Sequence, residues 1–99
     1  MIVVTGSVTV RREALDEARR LSLEHVQRSR KEPGCISHAV HVDCENPLRL
    51  VFIEHWADRA ALAAHFAVPA SGAFVRALRS LAAGPTTLEL YDATRLEKL

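Results

Sequence analysis

The chain is predicted to fold as a ferredoxin-like α+β domain, βαββαβ, with a four-stranded antiparallel sheet carrying its helices on one face. Three observations predict it. Residues near both ends and in the middle alternate apolar and polar side chains. Two stretches have helical period, one on each side of a central hairpin. Pro-Gly, Asn-Pro and Gly-Pro pairs fall at most of the joints between them.

Residues 2–10 set Ile2, Val4, Gly6, Val8 and Val10 on one face and Thr5, Ser7 and Thr9 on the other, the pattern of a half-buried strand. From Arg11 to about Lys31, Ala14, Leu15, Ala18, Leu21, Ser22 and Val26 form an apolar-to-small stripe among Arg and Glu, and Pro33-Gly34 stops the helix. Residues 35–43 make a second strand, and the turn Asp43-Cys44-Glu45-Asn46-Pro47 leads to a third over 48–57. Asp58 is placed to cap a helix through about Val68, which Pro69 is expected to break. A further helix over 71–83 presents Phe74, Leu78 and Leu81 to one side. Gly84-Pro85 ends it, and Thr86 to about Arg95 forms the fourth strand.

The composition narrows the functional classes. A length of 99 residues makes one domain, 1–99. Net charge is +1 and the few aromatics are not interleaved with basic residues, so nothing favours nucleic acid. No apolar run approaches the roughly 20 residues of a membrane span, and the N-terminus lacks the layout of a signal peptide. A cytoplasmic protein is expected. Cys35 and Cys44 sit at either end of the second strand, too far apart for a disulfide, which fits reduced thiols.

The most informative stretch is Leu50-Val51-Phe52-Ile53-Glu54-His55-Trp56, an apolar strand with a carboxylate in it. A buried carboxylate is costly unless paired or solvated. A hairpin turning at Glu45-Asn46 sets Ile36 against Trp56, His38 against Glu54, Val40 against Phe52 and Val42 against Leu50, all on one face. His38 and Glu54 would then be cross-strand neighbours about 5 Å apart at Cβ. Imidazole beside carboxylate is either a proton-transfer pair or a buried structural pair that fixes register. His38 and His41 point to opposite faces, and no helical His-x-x-x-His pair exists, so no metal is expected. His65 lies near the inward side of its helix, and His25 borders the stripe of the first helix as a partly buried polar group. No phosphate loop, nucleophile elbow or dinucleotide fingerprint is present, so no cofactor is expected.

Glu32-Pro33-Gly34-Cys35, Asp43, Glu54-His55-Trp56-Ala57-Asp58, Leu62-Ala63-Ala64-His65-Phe66 and Pro69 together resemble the antibiotic biosynthesis monooxygenase domain family. The Glu-x-Trp followed by a histidine nine residues after the Trp is the most specific part. The resemblance implies a dimeric α+β barrel, a homodimer joined through the sheet face. It also implies cofactor-free oxygenation of a small aromatic, quinol-type substrate by dioxygen. On that model His38 or His65 is the base, Glu54 orients it, and Trp56, Phe52, Phe66 and Phe74 form the substrate pocket. Ala70 stands where relatives often carry histidine, and Leu78 falls where the haem-degrading branch has its iron ligand, which disfavours haem degradation. An isomerase or lyase using the same His and Glu, supported weakly by Arg76 or Arg79, and a ligand-binding dimer without turnover are the alternatives.

Overall fold

Alternation along the strands and one apolar stripe per helix produce a sheet whose helix side is sealed in the middle. The computed structural model describes all residues, 1–99. Strands β1 (Ile2–Thr9), β2 (Cys35–Asp43), β3 (Asn46–Trp56) and β4 (Thr87–Asp92) form one antiparallel sheet in the order β2-β3-β1-β4. Helices α1 (Leu15–Ser29), α2 (Arg59–Ala67) and α3 (Pro69–Ser80) complete the ferredoxin-like plan, with a 3-10 turn at Arg12–Ala14 leading into α1. No single helix is long and apolar enough to cross a membrane; α2 and α3 meet at 71°.

The side chains of β1 show why the helices lie where they do. Ile2, Val4, Gly6 and Val8 are buried, and the residues between them are half-buried. Helix α1 lays Ala18, Ser22, His25, Val26 and Ser29 on the sheet, while α3 contributes Phe74 and Leu78. The buried apolar residues fall into two clusters. One joins Val8, Val10, Ala18, Val26, Leu50, Phe52, Phe74 and Leu78. The other joins Ile2, Val4, Trp56 and Leu62. Along β3, Glu54 stands between Phe52 of the first cluster and Trp56 of the second.

Several details depart from the sequence reading. The hairpin turns at Cys44-Glu45 rather than Glu45-Asn46, and the third strand begins at Asn46 rather than at residue 48. Pro69 is the first residue of α3, where its fixed φ and missing N–H suit a helix start, so it opens a helix as well as ending one. The helix after it accordingly runs 69–80, not 71–83. Ile36 does not face Trp56. It is the extra residue of a β-bulge, Cys35 takes its place opposite Trp56, and Ile36 is 58% exposed. Below the bulge the expected register holds, with His38 opposite Glu54, Val40 opposite Phe52 and Val42 opposite Leu50.

The turn before β2 explains the bulge. Gly34 has φ +82°, and a Cβ there would stand 2.4 Å from the Cβ of Ala61. Its carbonyl accepts from Ala57 N–H at 2.8 Å. The turn is thus seated on the start of α2, and β2 enters the sheet one residue out of step. Asp58 caps α2 as expected, accepting from Ala61 N–H at 2.8 Å.

Candidate active site

The gap between the two apolar clusters is filled by polar side chains from four elements. Glu54 comes from β3, His38 from β2, His65 from α2 and His25 from α1. All four are buried, at 6%, 1%, 2% and 5% exposure. So many titratable groups at such depth need mutual partners.

Glu54 Oε1 is the hub. It accepts from the Trp56 indole N–H at 2.9 Å, two residues along the same strand and therefore on the same face. His38 Nε2 lies 3.2 Å away and His65 Nε2 3.9 Å away. The His38 contact is an ion-pair distance with poor hydrogen-bond alignment, and both His38 ring nitrogens are buried without a hydrogen-bond partner. Burial alone would push the Glu54 carboxyl up. The close contact and charge of His38, then the indole N–H and the charge of His65, outweigh that and hold it below the usual carboxylate range.

His65 has a second carboxylate. Its Nδ1 lies 2.8 Å from Glu32 Oε1, so that nitrogen donates and Nε2 keeps the lone pair in the neutral ring. The ring also packs against Trp56, with centroids 4.5 Å apart. Glu32 lies in the segment between α1 and β2, and its Oε2 is buried without a partner.

His25 is held differently. Arg28 Nη2, one helical turn on, donates to its Nδ1 at 2.8 Å. The ring stacks on Phe74 with centroids 4.0 Å apart and planes 7° from parallel. Burial, then the charges of His38, His65 and Arg28, press its pKa down to about 3, with Glu54 opposing weakly.

A cavity of about 170 Å³ opens beside this cluster. His25, Glu54, His65, Phe52, Phe66 and Phe74 lie in its wall, with Arg79, Thr86 and Thr87 also lining it. Of the residues singled out from sequence, Glu54, His65, Phe52, Phe66 and Phe74 thus border one cavity. His38 and Trp56 do not border it and lie behind Glu54 as its supports. Arg79 lines the cavity, but Arg76 does not. Sequence reasoning gave no role to Glu32, to His25 as a site residue or to Ser71, whose buried hydroxyl has no partner and lines the same cavity. His25 carried a signal, since it sits three residues after Ser22 and four before Ser29 on the inward stripe. Ser71 carried none.

The cysteines stay apart and free. Burial, then the charges of Glu32 and Glu54, push the Cys35 thiol up and make it a poor nucleophile.

A ferredoxin-like sheet with a buried carboxylate–histidine cluster beside a cavity lined in part by phenylalanines defines a small α+β protein. The comparisons identify the family. The family model for antibiotic biosynthesis monooxygenase matches residues 1–77, and the chain belongs to that family. It is 35% identical over 98 residues to the uncharacterized protein sll1783 of Synechocystis sp. PCC 6803, spanning 99% of this chain and 67% of that one. A crystal structure of an antibiotic biosynthesis monooxygenase superposes with a TM-score of 0.88 at 34% identity, covering 96% of this chain and 100% of that one. A Deinococcus radiodurans protein assigned provisionally to the same family gives 0.94 at 25% identity, covering 100% and 98%. A conserved protein of Methanosarcina mazei Go1 gives 0.88 at 26% identity, covering 94% and 92%.

Proposed function

We propose that the protein is a cofactor-independent monooxygenase that oxidises a small phenol or quinol with dioxygen. The observation that carries the reading is His65. It borders the cavity, its Nδ1 is committed to Glu32, and its Nε2 lone pair is left free to take a proton. A base held this way, beside an ionised carboxylate that stabilises the resulting cation, is equipped for general-base catalysis. His38, on the sealed side of Glu54, supports the carboxylate. Trp56 holds the same oxygen, and Phe52, Phe66 and Phe74 flank the ring of the substrate.

The chemistry balances with no added reductant. His65 takes the proton of the substrate hydroxyl, and the electron-rich phenolate passes one electron to dioxygen. Superoxide and the ring radical combine at a ring carbon that bears hydrogen, forming a C–O bond. The peroxide takes the proton back from His65. Loss of the ring C–H proton to His65 then breaks the O–O bond, leaving a quinone carbonyl and hydroxide, which leaves as water with that proton. Substrate and dioxygen thus give quinone and one water. An apolar cavity favours the step, because water there would protonate and trap the anion.

The open face of the sheet supports a homodimer. Val3, Val51 and Ala39 are half-buried there and Ile53 is 38% exposed, with no helix over them. A second copy packed sheet to sheet would cover this face and complete the α+β barrel. Free cysteines fit a reducing cytoplasm.

The test is oxygen uptake by metal-free protein over a panel of phenols and hydroquinones, with His65→Ala and His38→Ala beside it. Uptake lost in His65→Ala and reduced less in His38→Ala is expected. Consumption of a substrate that continues under argon would replace this reading with an isomerase or lyase.

A further inference from the structure

We propose that His25 is the oxyanion-binding group of the cavity, locked by Arg28 with its proton on Nε2 and donating that proton's hydrogen bond to the phenolate oxygen of the substrate. The argument begins with what arginine lacks. A guanidinium has donors only, so the 2.8 Å contact from Arg28 Nη2 to His25 Nδ1 requires a lone pair on Nδ1. A neutral imidazole with that lone pair carries its hydrogen on Nε2. Burial and the surrounding positive groups keep the ring neutral, with a pKa of about 3.

The geometry then makes this hydrogen useful. The ring lies in the cavity wall, and its stack on Phe74 fixes its plane. Nδ1 is taken by Arg28, and Nε2 has no hydrogen-bond partner within the chain. Glu54 and the free nitrogen of His65 are acceptors, so they serve a proton to be removed and repel the anion that results. A donor beside them resolves that conflict. The His25 and His65 rings, with centroids 5.4 Å apart, are close enough to serve one oxygen, His65 taking its proton and His25 donating to the negative charge left on it.

The same observation argues against a metal. One ring nitrogen each of His25, His38 and His65 lies within 4.8 Å of the others, a spacing compatible with a shared ion. Arg28 occupies the lone pair of His25, and its remaining nitrogen carries hydrogen where a ligand needs a lone pair. The trio reads instead as one donor and two groups that serve Glu54.

This inference takes the oxyanion from the function proposed above, so its test uses binding without turnover. Long-range proton–nitrogen NMR spectra at neutral pH should show His25 protonated on Nε2 alone, and Arg28→Met should give a mixture of tautomers. The second arm titrates 4-nitrophenol and follows its phenolate absorbance band. His25→Phe keeps the stack on Phe74 and should bind the phenolate roughly 10- to 100-fold more weakly, the usual range for a hydrogen bond to a charged group. Arg28→Met should fall between it and the wild type. Protonation of wild-type His25 on Nδ1, unchanged affinity in His25→Phe, or no phenolate binding by wild type would overturn the proposal. The NMR arm stands on the wild-type protein even if a variant fails to fold. Absence of oxygen uptake with the tautomer and phenolate binding intact would sink the monooxygenase reading and leave this subsite standing.

Discussion

The two halves of the helix-covered sheet face each break the usual rule of burial at a few positions. Over β2 and β3 polar side chains are sealed in among apolar ones, with His38, Glu54 and His65 each below a tenth exposed. Over β4 they are apolar and open, with Leu88 58% and Leu90 49% exposed, near exposed Phe66 and Val75. Polar groups buried at a cost and apolar groups left in water both need a reason beyond stability. The cavity lies between the two halves and takes wall residues from each. On the function proposed above, the difference assigns the proton chemistry to one half and a surface for an apolar ring to the other.

Substitutions on the sealed half should cost function first. His65→Ala is expected to lower oxygen-coupled turnover by roughly two to four orders of magnitude, the range for loss of a general base. Steady-state oxygen uptake checks this, and turnover within tenfold of wild type would break the division between the halves.

The seat of that half depends on Gly34. Gly34→Ala must place a side chain at positive φ against Ala61. The backbone conformation costs about 1–2 kcal/mol and the crowding about as much again, so unfolding in urea should show about 2–4 kcal/mol lost. A loss below about 1 kcal/mol would mean that the turn moves freely and does not seat the strand.

The pH dependence of stability sharpens the comparison further. His25 has a folded pKa of about 3 against 6.5 in the free chain. Between those values the unfolded chain binds the extra proton, so stability falls as pH drops below about 6.5. The groups that face the ring are Arg28, His38, His65 and Glu54. Glu54 has a lowered carboxyl pKa, so its stabilisation is present above about 4.5 and fades only as pH falls through its folded value. From pH 6.5 to 5 wild type should therefore lose about 2 kcal/mol through His25, and His25→Phe should lack that part of the loss. Parallel curves for the two proteins would mean that His25 is not held neutral.

The smallest effect on the single chain belongs to the open face of the sheet. Ile53→Lys should change the stability of a monomer by about 0.5 kcal/mol or less, since the residue is already exposed. Sedimentation should nonetheless fall from twice the chain mass to one. A wild-type protein that sediments as a monomer would remove the sheet-to-sheet homodimer.

Much of this was legible in the chain. The βαββαβ order followed from alternation and breakers, and the His38–Glu54 pair followed from matching the apolar positions of β2 and β3. The hairpin itself turns at Cys44-Glu45, and an irregularity between Val42 and Asp43 restores the expected register. What was hidden rests on contacts between distant elements. The Glu32–His65 bond joins residues 33 positions apart, and no local period encodes it. His25 showed its inward face but not its neighbours, because a helical stripe gives direction and not partners. Ile36 broke the alternation because the Gly34 turn is anchored to α2, a constraint the strand's own residues do not carry.

The bulge at Ile36 has a consequence for how this protein tolerates changes in length. Cys35 pairs with Trp56 and Ser37 with His55, so Ile36 is surplus to the ladder. Removing it would join two residues that already face consecutive partners and leave His38 opposite Glu54. Deletion of one residue at this place, unlike a deletion anywhere between His38 and the turn, is a change the fold can absorb without misplacing the site.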